Sequence, residues 1–283
     1  MKDLKKILLG IEEEDVSHDP IHFAYRFQTK EDKEVASIVA SLFAYGNVSS
    51  IFQNLEKIFK FLGDSPSKTL VDKRWSRTEN EFQKYRFQTS KDISDFFLIL
   101  RELFLENKTF EHLFIGENTQ KRILNFQKSF WEVWKKNYPD SKPSNGLQFL
   151  VGKGLENSPN KRYNLFLRWM VRNSFPDLGL YKSISQSDLI YPLDTHIQKF
   201  AKILNLNTRK ASDYKTAFNI TEKFKELEPE DPLRFDFPLA RMGILKSCKS
   251  RYVPELCNSC KLRTVCVLYK TQISNLAKAR YQI

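Results

Sequence analysis

The feature that most constrains the fold is an apolar period of three to four residues, repeated along nearly the whole chain. In "TQKRILNFQKSFWEVWKKN", residues 119–137, Ile123, Phe126, Phe130 and Trp134 fall on one helical face. The same period runs through "KEVASIVASLFAYGN" and "VSSIFQNLEKIFKFLG", a helix pair separated at Gly46 and Asn47. It runs also through "SKDISDFFLILRELFLEN" and, more briefly, "TFEHLF". Alternating strand patterns are few and only 9 glycines occur in 283 residues, so the reading is an all-α protein. The aromatics of these faces are expected to be core. A turn-rich break, "YPDSKPSNG", is expected at 138–146, and Asn173–Ser187 is the longest stretch without a periodic pattern.

Lysine and arginine outnumber aspartate and glutamate 46 to 34, a net +12, which points to a polyanionic partner. The longest apolar run, "VASIVASLFAY", is about half the ~20 residues a bilayer span needs. The opening "MKDLKKILLGIEEED" has the pattern of neither a signal peptide nor a transit peptide, so a cytoplasmic location is expected.

All four cysteines lie in "CKSRYVPELCNSCKLRTVC" as C-x8-C-x2-C-x5-C: Cys248, Cys257, Cys260 and Cys266. In a reducing cytosol such a cluster indicates metal rather than disulfides. Four thiolates can hold either structural zinc or a 4Fe-4S cluster, and ligand type leaves both open. Lys246, Lys249, Arg251, Lys261, Arg263 and Lys270 surround them, and a metal-fixed loop would present these cations to phosphates.

In "YPLDTHIQKFAKILNL", Ile197, Phe200, Ala201 and Leu204 form one helical face, and Asp194 immediately precedes that helix. The ordinary role of an acid there is an N-cap. A carboxylate so placed is favoured by the positive end of the helix dipole, and it also suits a site that must face a developing cation. Upstream, "VGKGLENSPNKRYNLF" places Gly152, Lys153 and Gly154 in a turn and Lys161 at the start of "KRYNLFLRWMVR". The glycines let backbone N–H groups approach a phosphate closely.

"LDTH" opening an amphipathic helix, followed by a compact four-cysteine loop, resembles the helix-hairpin-helix DNA glycosylase superfamily, particularly its endonuclease III branch. "DPIHFAYRF", "SLFAYGN", "KRYNLFLRWMVR" and "LIYPLDTH" look like a bacterial family of unassigned function, itself similar to archaeal oxoguanine glycosylases. The resemblance spans Asp19 to Tyr269. It departs in lacking an L-P-G-V-G type hairpin core, in a wider first cysteine spacing and in a 33-residue lysine-to-aspartate interval (194 − 161), longer than in endonuclease III.

This resemblance implies a two-lobed fold, with residues 33–190 as one helical lobe and 1–32 plus 191–283 as the other, carrying a 4Fe-4S loop (zinc being the alternative). It implies a monomeric DNA glycosylase, with AP lyase activity, that excises a damaged base, an oxidised one among the candidates, from double-stranded DNA in base excision repair. Asp194 matches the superfamily's catalytic aspartate. Lys161 is preferred over Lys153 as the nucleophile, because a helix N-terminus disfavours an ammonium and nucleophilic attack needs the free amine. Gly152, Lys153, Gly154, Arg251 and Lys261 would contact DNA; His196 would hydrogen bond at the helix start, and Tyr45 and Trp169 would pack in the core or, as the alternative, stack on an extruded base. The competing readings are a non-catalytic metal-containing nucleic-acid-binding protein and a zinc protein acting on RNA.

Overall fold

Thr29, Asn47, Thr89, Asn118, Ser144 and Asp213 each begin a helix by accepting a backbone N–H bond on the side chain, so short polar residues set most of the element starts. The computed structural model describes residues 2–11, 15–72, 82–245 and 247–280. Lys246, one of the basic residues near the cysteines, lies outside them. The described residues are helical, with no strand: α1 (Lys2–Leu9), α2 (Lys30–Leu42), α3 (Val48–Leu62), α4 (Pro66–Asp72), α5 (Ser90–Leu105), α6 (Thr119–Asn137), α7 (Asn145–Val151), α8 (Lys161–Val171), α9 (Thr195–Ile203), α10 (Tyr214–Lys225), α11 (Asp236–Ile244), α12 (Pro254–Cys257) and α13 (Val267–Arg280). The all-α reading stands. "TFEHLF" forms only a 3-10 turn at Glu111–Leu113, because six residues with a single apolar cluster and no side-chain cap cannot sustain an α-helix. None of the described helices is long and apolar enough to cross a membrane.

α2 and α8 form the central pair, and a 3-10 helix at Pro20–Arg26 lies on α2 and α3. α8 is buried from Tyr163 to Val171 except at Leu165, so nearly its whole circumference is covered. A helix in that position can carry arginines only if they are paired. Arg168 Nε donates to Asp177 Oδ1 at 3.0 Å and Arg168 Nη1 to Asp236, while Arg172 donates from Nε and Nη2 to the two oxygens of Asp231, each at 2.8 Å, and from Nη1 to Asp177. These buried bonds tie α8 to the irregular segment after it and to the start of α11. Removing one partner from such a network typically costs ~3–5 kcal/mol, because a buried charge is left uncompensated.

α9 packs on α11, where the His196 ring occupies the space a Cβ on Gly243 would fill. The N-terminal region reaches the C-terminal third through Lys5–Glu228 at 3.5 Å, Asp15–Arg241 at 2.9 Å and Lys261 Nζ donating to Gly10 O at 2.8 Å. One contiguous hydrophobic core runs from Leu4 to Leu262.

Candidate functional site

The site begins with the turn between α7 and α8. α7 ends at Gly152, φ +96°, whose N–H donates to Gln148 O at 2.8 Å. The left-handed backbone favours glycine there, and the Gln127 amide fills the place of a side chain. α6 holds this turn from within: Trp131 Nε1 donates to Gly152 O at 2.8 Å, Gln127 Nε2 to Val151 O at 3.0 Å, and Gln120 Nε2 to Glu156 O at 2.7 Å. Asn160, left-handed at φ +44°, closes the turn. Its Oδ1 accepts from Gln127 and its Nδ2 donates to Gln120, each at 3.3 Å. Lys161 is therefore delivered to the first position of α8 by a fixed hairpin. Lys153 stands exposed on the turn, and Gly154, φ +68°, has open space around it.

Asp194 faces Lys161 from another helix. Its backbone is extended (φ −113°, ψ 179°), and Oδ1 accepts from His196 N at 2.8 Å and Ile197 N at 2.7 Å, the bonds expected of an N-cap. Oδ2 takes neither bond and lies 3.7 Å from Lys161 Nζ. The Asp194 side chain is 18% exposed and that of Lys161 37%, so the pair is reachable from solvent. Both line a cleft of about 750 Å³ that also takes in Gly152, Lys153, Tyr45 and Phe149. The structure thus brings Lys161 and Asp194 together, with the glycine turn beside them.

Two buried residues absent from the sequence expectations, Arg168 and Asp236, complete the deep wall of the cleft. Burial pushes the Asp236 carboxyl up to about 6 against the pull of Arg168, and the Asp194 charge adds to the rise. His196 engages α9 through its backbone N–H and presses its ring on Gly243. Trp169 is fully buried in the core, as expected. Tyr45 is at the rim, half-buried, its hydroxyl donating to Gln88. An amine beside a carboxylate that keeps one oxygen unbonded by its cap, in an open cleft, can add to an electrophilic carbon and stabilise a cation there.

The four cysteines line one small cavity with Leu256, Leu262 and Tyr269. Ser250 N donates to Cys248 Sγ and Val253 N to Cys257 Sγ, each at 3.4 Å. Burial pushes the Cys248 and Cys260 thiols up. Among the described residues no three His, Cys, Asp or Glu side chains form a ready metal-coordinating group, so the sulfurs converge without standing at coordination geometry. What the four cysteines share is that one cavity, with backbone N–H groups directed at two of the sulfurs. Of the cations expected on DNA, Arg251 is exposed, whereas Lys261 is committed to Gly10 O and Arg263 donates to Asn258 O at 2.6 Å.

No curated protein and no solved structure matches this chain. One family model does, over residues 19–245, a span that holds the hairpin, the cleft and both Lys161 and Asp194 and ends before Cys248. The chain belongs to that family, described as protein of unknown function (DUF2400).

Proposed function

We propose that the protein is a DNA glycosylase with AP lyase activity, acting on a damaged base in DNA. The observation that carries this is the 3.7 Å separation of Lys161 Nζ and Asp194 Oδ2 across an open cleft, from two helix starts 33 residues apart (194 − 161) in sequence. Cleavage of an N-glycosidic bond passes through an oxocarbenium-like state, and the cap-free oxygen of Asp194 would stabilise that cation. Lys161, as free amine, would attack C1′ as the base departs with the bonding electrons. Loss of the amine's proton and ring opening then give a Schiff base, from which abstraction of a C2′ proton expels the 3′-phosphate by β-elimination. Reaching C1′ requires a nucleotide out of the stack, at a cost of a few kcal/mol. Gly152 and Lys153 line the same cleft, and with Gly154, the next residue of the turn, would hold a backbone phosphate.

Cys248, Cys257, Cys260 and Cys266 would hold a 4Fe-4S cluster, zinc being the alternative, which would fix the loop and its exposed Arg251 for phosphate contact. The chain's +12 charge supports the choice of a polyanion as partner.

A second reading, binding without catalysis, draws on the two capping bonds of Asp194, which alone account for an acid at that position. A panel of oligonucleotides each carrying one lesion separates the two. Release of one damaged base, with strand scission, is expected; intact DNA throughout, with tight binding, would favour the second.

A further inference from the structure

Beside the cleft, two exposed aromatic rings, Phe87 and Phe149, stand against a third, the half-buried Tyr45. Phe87 is 55% exposed and Phe149 41%, their centroids 4.7 Å apart; Tyr45 meets Phe149 edge-on at 5.0 Å and lies parallel to Phe87, at 16°, 6.5 Å away. Contiguous exposed rings on a folded protein mark a binding surface.

The rings are fixed. Phe87 sits in a two-residue turn, Arg86–Phe87, closed by Tyr85 N donating to Gln88 O at 3.0 Å and Gln88 N to Tyr85 O at 2.9 Å. Gln88 Nε2 donates to Gly146 O and Tyr85 OH to Tyr45 O, at 2.8 and 2.9 Å, locking the turn to α7 and to the loop after α2. Arg86 holds a left-handed backbone, φ +50°, without being glycine, which costs on the order of 1 kcal/mol. Locked and strained, the turn projects one ring and one guanidinium outward.

Charge decides the occupant. The Arg86 guanidinium lies 5.5 Å from the Phe87 ring and 6.0 Å from Tyr45, is exposed, and has no carboxylate partner among the described residues. Arg162, next to Lys161, lies 5.1 Å from both Tyr45 and Phe149 and is anchored by its bonds to Leu42 O and Phe149 O. An apolar protein partner would have to desolvate Arg86. A nucleotide offers a flat ring to the aromatics and a phosphate to the cation. The geometry points to a stacking site for an unpaired nucleobase on Tyr45, Phe87 and Phe149, adjoining the Lys161–Asp194 cleft. This rests on the proposed action on DNA, and it makes the strand at the cleft unpaired over more than the one nucleotide undergoing chemistry.

The test uses the full-length protein and DNA in which 2-aminopurine occupies an unpaired position, in single strands and in bulged duplexes. Binding should quench the fluorescence. Phe87→Ala and Phe149→Ala should remove the quenching and weaken single-strand binding about 5- to 100-fold. Phe87→Leu keeps apolar bulk in an exposed position that the fold does not need, and should lose quenching as well; Phe87→Trp should keep it. Phe218→Ala, at an exposed ring on α10, is the control and should change nothing. Unchanged quenching in Phe87→Leu and Phe149→Ala, with unfolding temperatures like wild type, would overturn the stacking site. Quenching lost in those variants while no lesion is ever processed would leave the site standing and remove the glycosylase reading.

Discussion

Lys161 Nζ lies 3.7 Å from Asp194 Oδ2, while Oδ1 of the same carboxylate holds the N–H groups of His196 and Ile197. One side chain therefore carries two duties on separate oxygens: it starts α9, and it faces the amine.

The division makes the duties separable. Asparagine caps helices about as well as aspartate, so Asp194→Asn should unfold within a few degrees of wild type and bind DNA with similar affinity, yet lose base release by several orders of magnitude. Asp194→Ala should lose the cap too, at ~1 kcal/mol. Thermal unfolding beside a single-turnover assay checks both. Equal activity in wild type and Asp194→Asn would assign Asp194 to capping alone.

The hairpin glycines should differ in cost. Both have left-handed φ, +96° at Gly152 and +68° at Gly154, but a Cβ at Gly152 meets the Gln127 amide, and one at Gly154 meets nothing within 4 Å. Gly154→Ala should cost ~1 kcal/mol from backbone strain, and Gly152→Ala ~2–4 kcal/mol, because Gln127 also holds Val151 and Asn160. Denaturant titration of the two variants reads the difference. Lys161 should misplace with Gly152→Ala and lose activity beyond the stability change.

Asp236 supplies a pH signature. Its carboxyl is pushed up to about 6 in the fold from an ordinary 3.8, so the folded state binds the proton more tightly than the unfolded chain. Stability should therefore fall as pH rises from about 4 to about 6, and the penalty is fully present above that window. Unfolding free energies of wild type, referred to Asp236→Asn, should decline across this window and be flat above it. A rise with pH would place the carboxyl below its ordinary value, contrary to its burial.

Helices α6, α8 and α9 were legible in sequence because an apolar period and a clear start coincide in each. α11 was not: Pro238 and Gly243 interrupt "DFPLARMGI", and its role is to receive the His196 ring through the missing Cβ of Gly243. Lys161 and Asp194 could be picked out as helix starts, but their meeting depends on the packing of α8 and α9 and on the irregular chain between them. Arg168 and Asp236 were not legible, since a buried ion pair leaves no periodic trace. Phe87 and Phe149 carry no signal of exposure in the sequence; only the locked turn at Tyr85–Gln88 shows one held outward.

The cysteine loop makes a claim independent of the cleft. Protein purified without oxygen should be brown and carry iron and sulfide in near-equal amounts, and Cys260→Ser should lose both. Because Lys261 bonds Gly10 O, that loss should also free α1, seen as faster proteolysis near residue 10. Stoichiometric zinc without iron would contradict the cluster and keep a structural metal.

Borohydride trapping tests the central claim most directly, since reduction of a Schiff base leaves protein and DNA covalently joined. With lesion-bearing DNA, wild type should give the adduct. Lys161→Ala should abolish it while keeping salt-dependent binding, because one phosphate contact among several is a small loss. Lys153→Ala, at the exposed lysine of the turn, should trap like wild type. An adduct that survives Lys161→Ala and disappears with Lys153→Ala would contradict the placement of the nucleophile, and no adduct from wild type on any lesion would contradict the lyase chemistry itself.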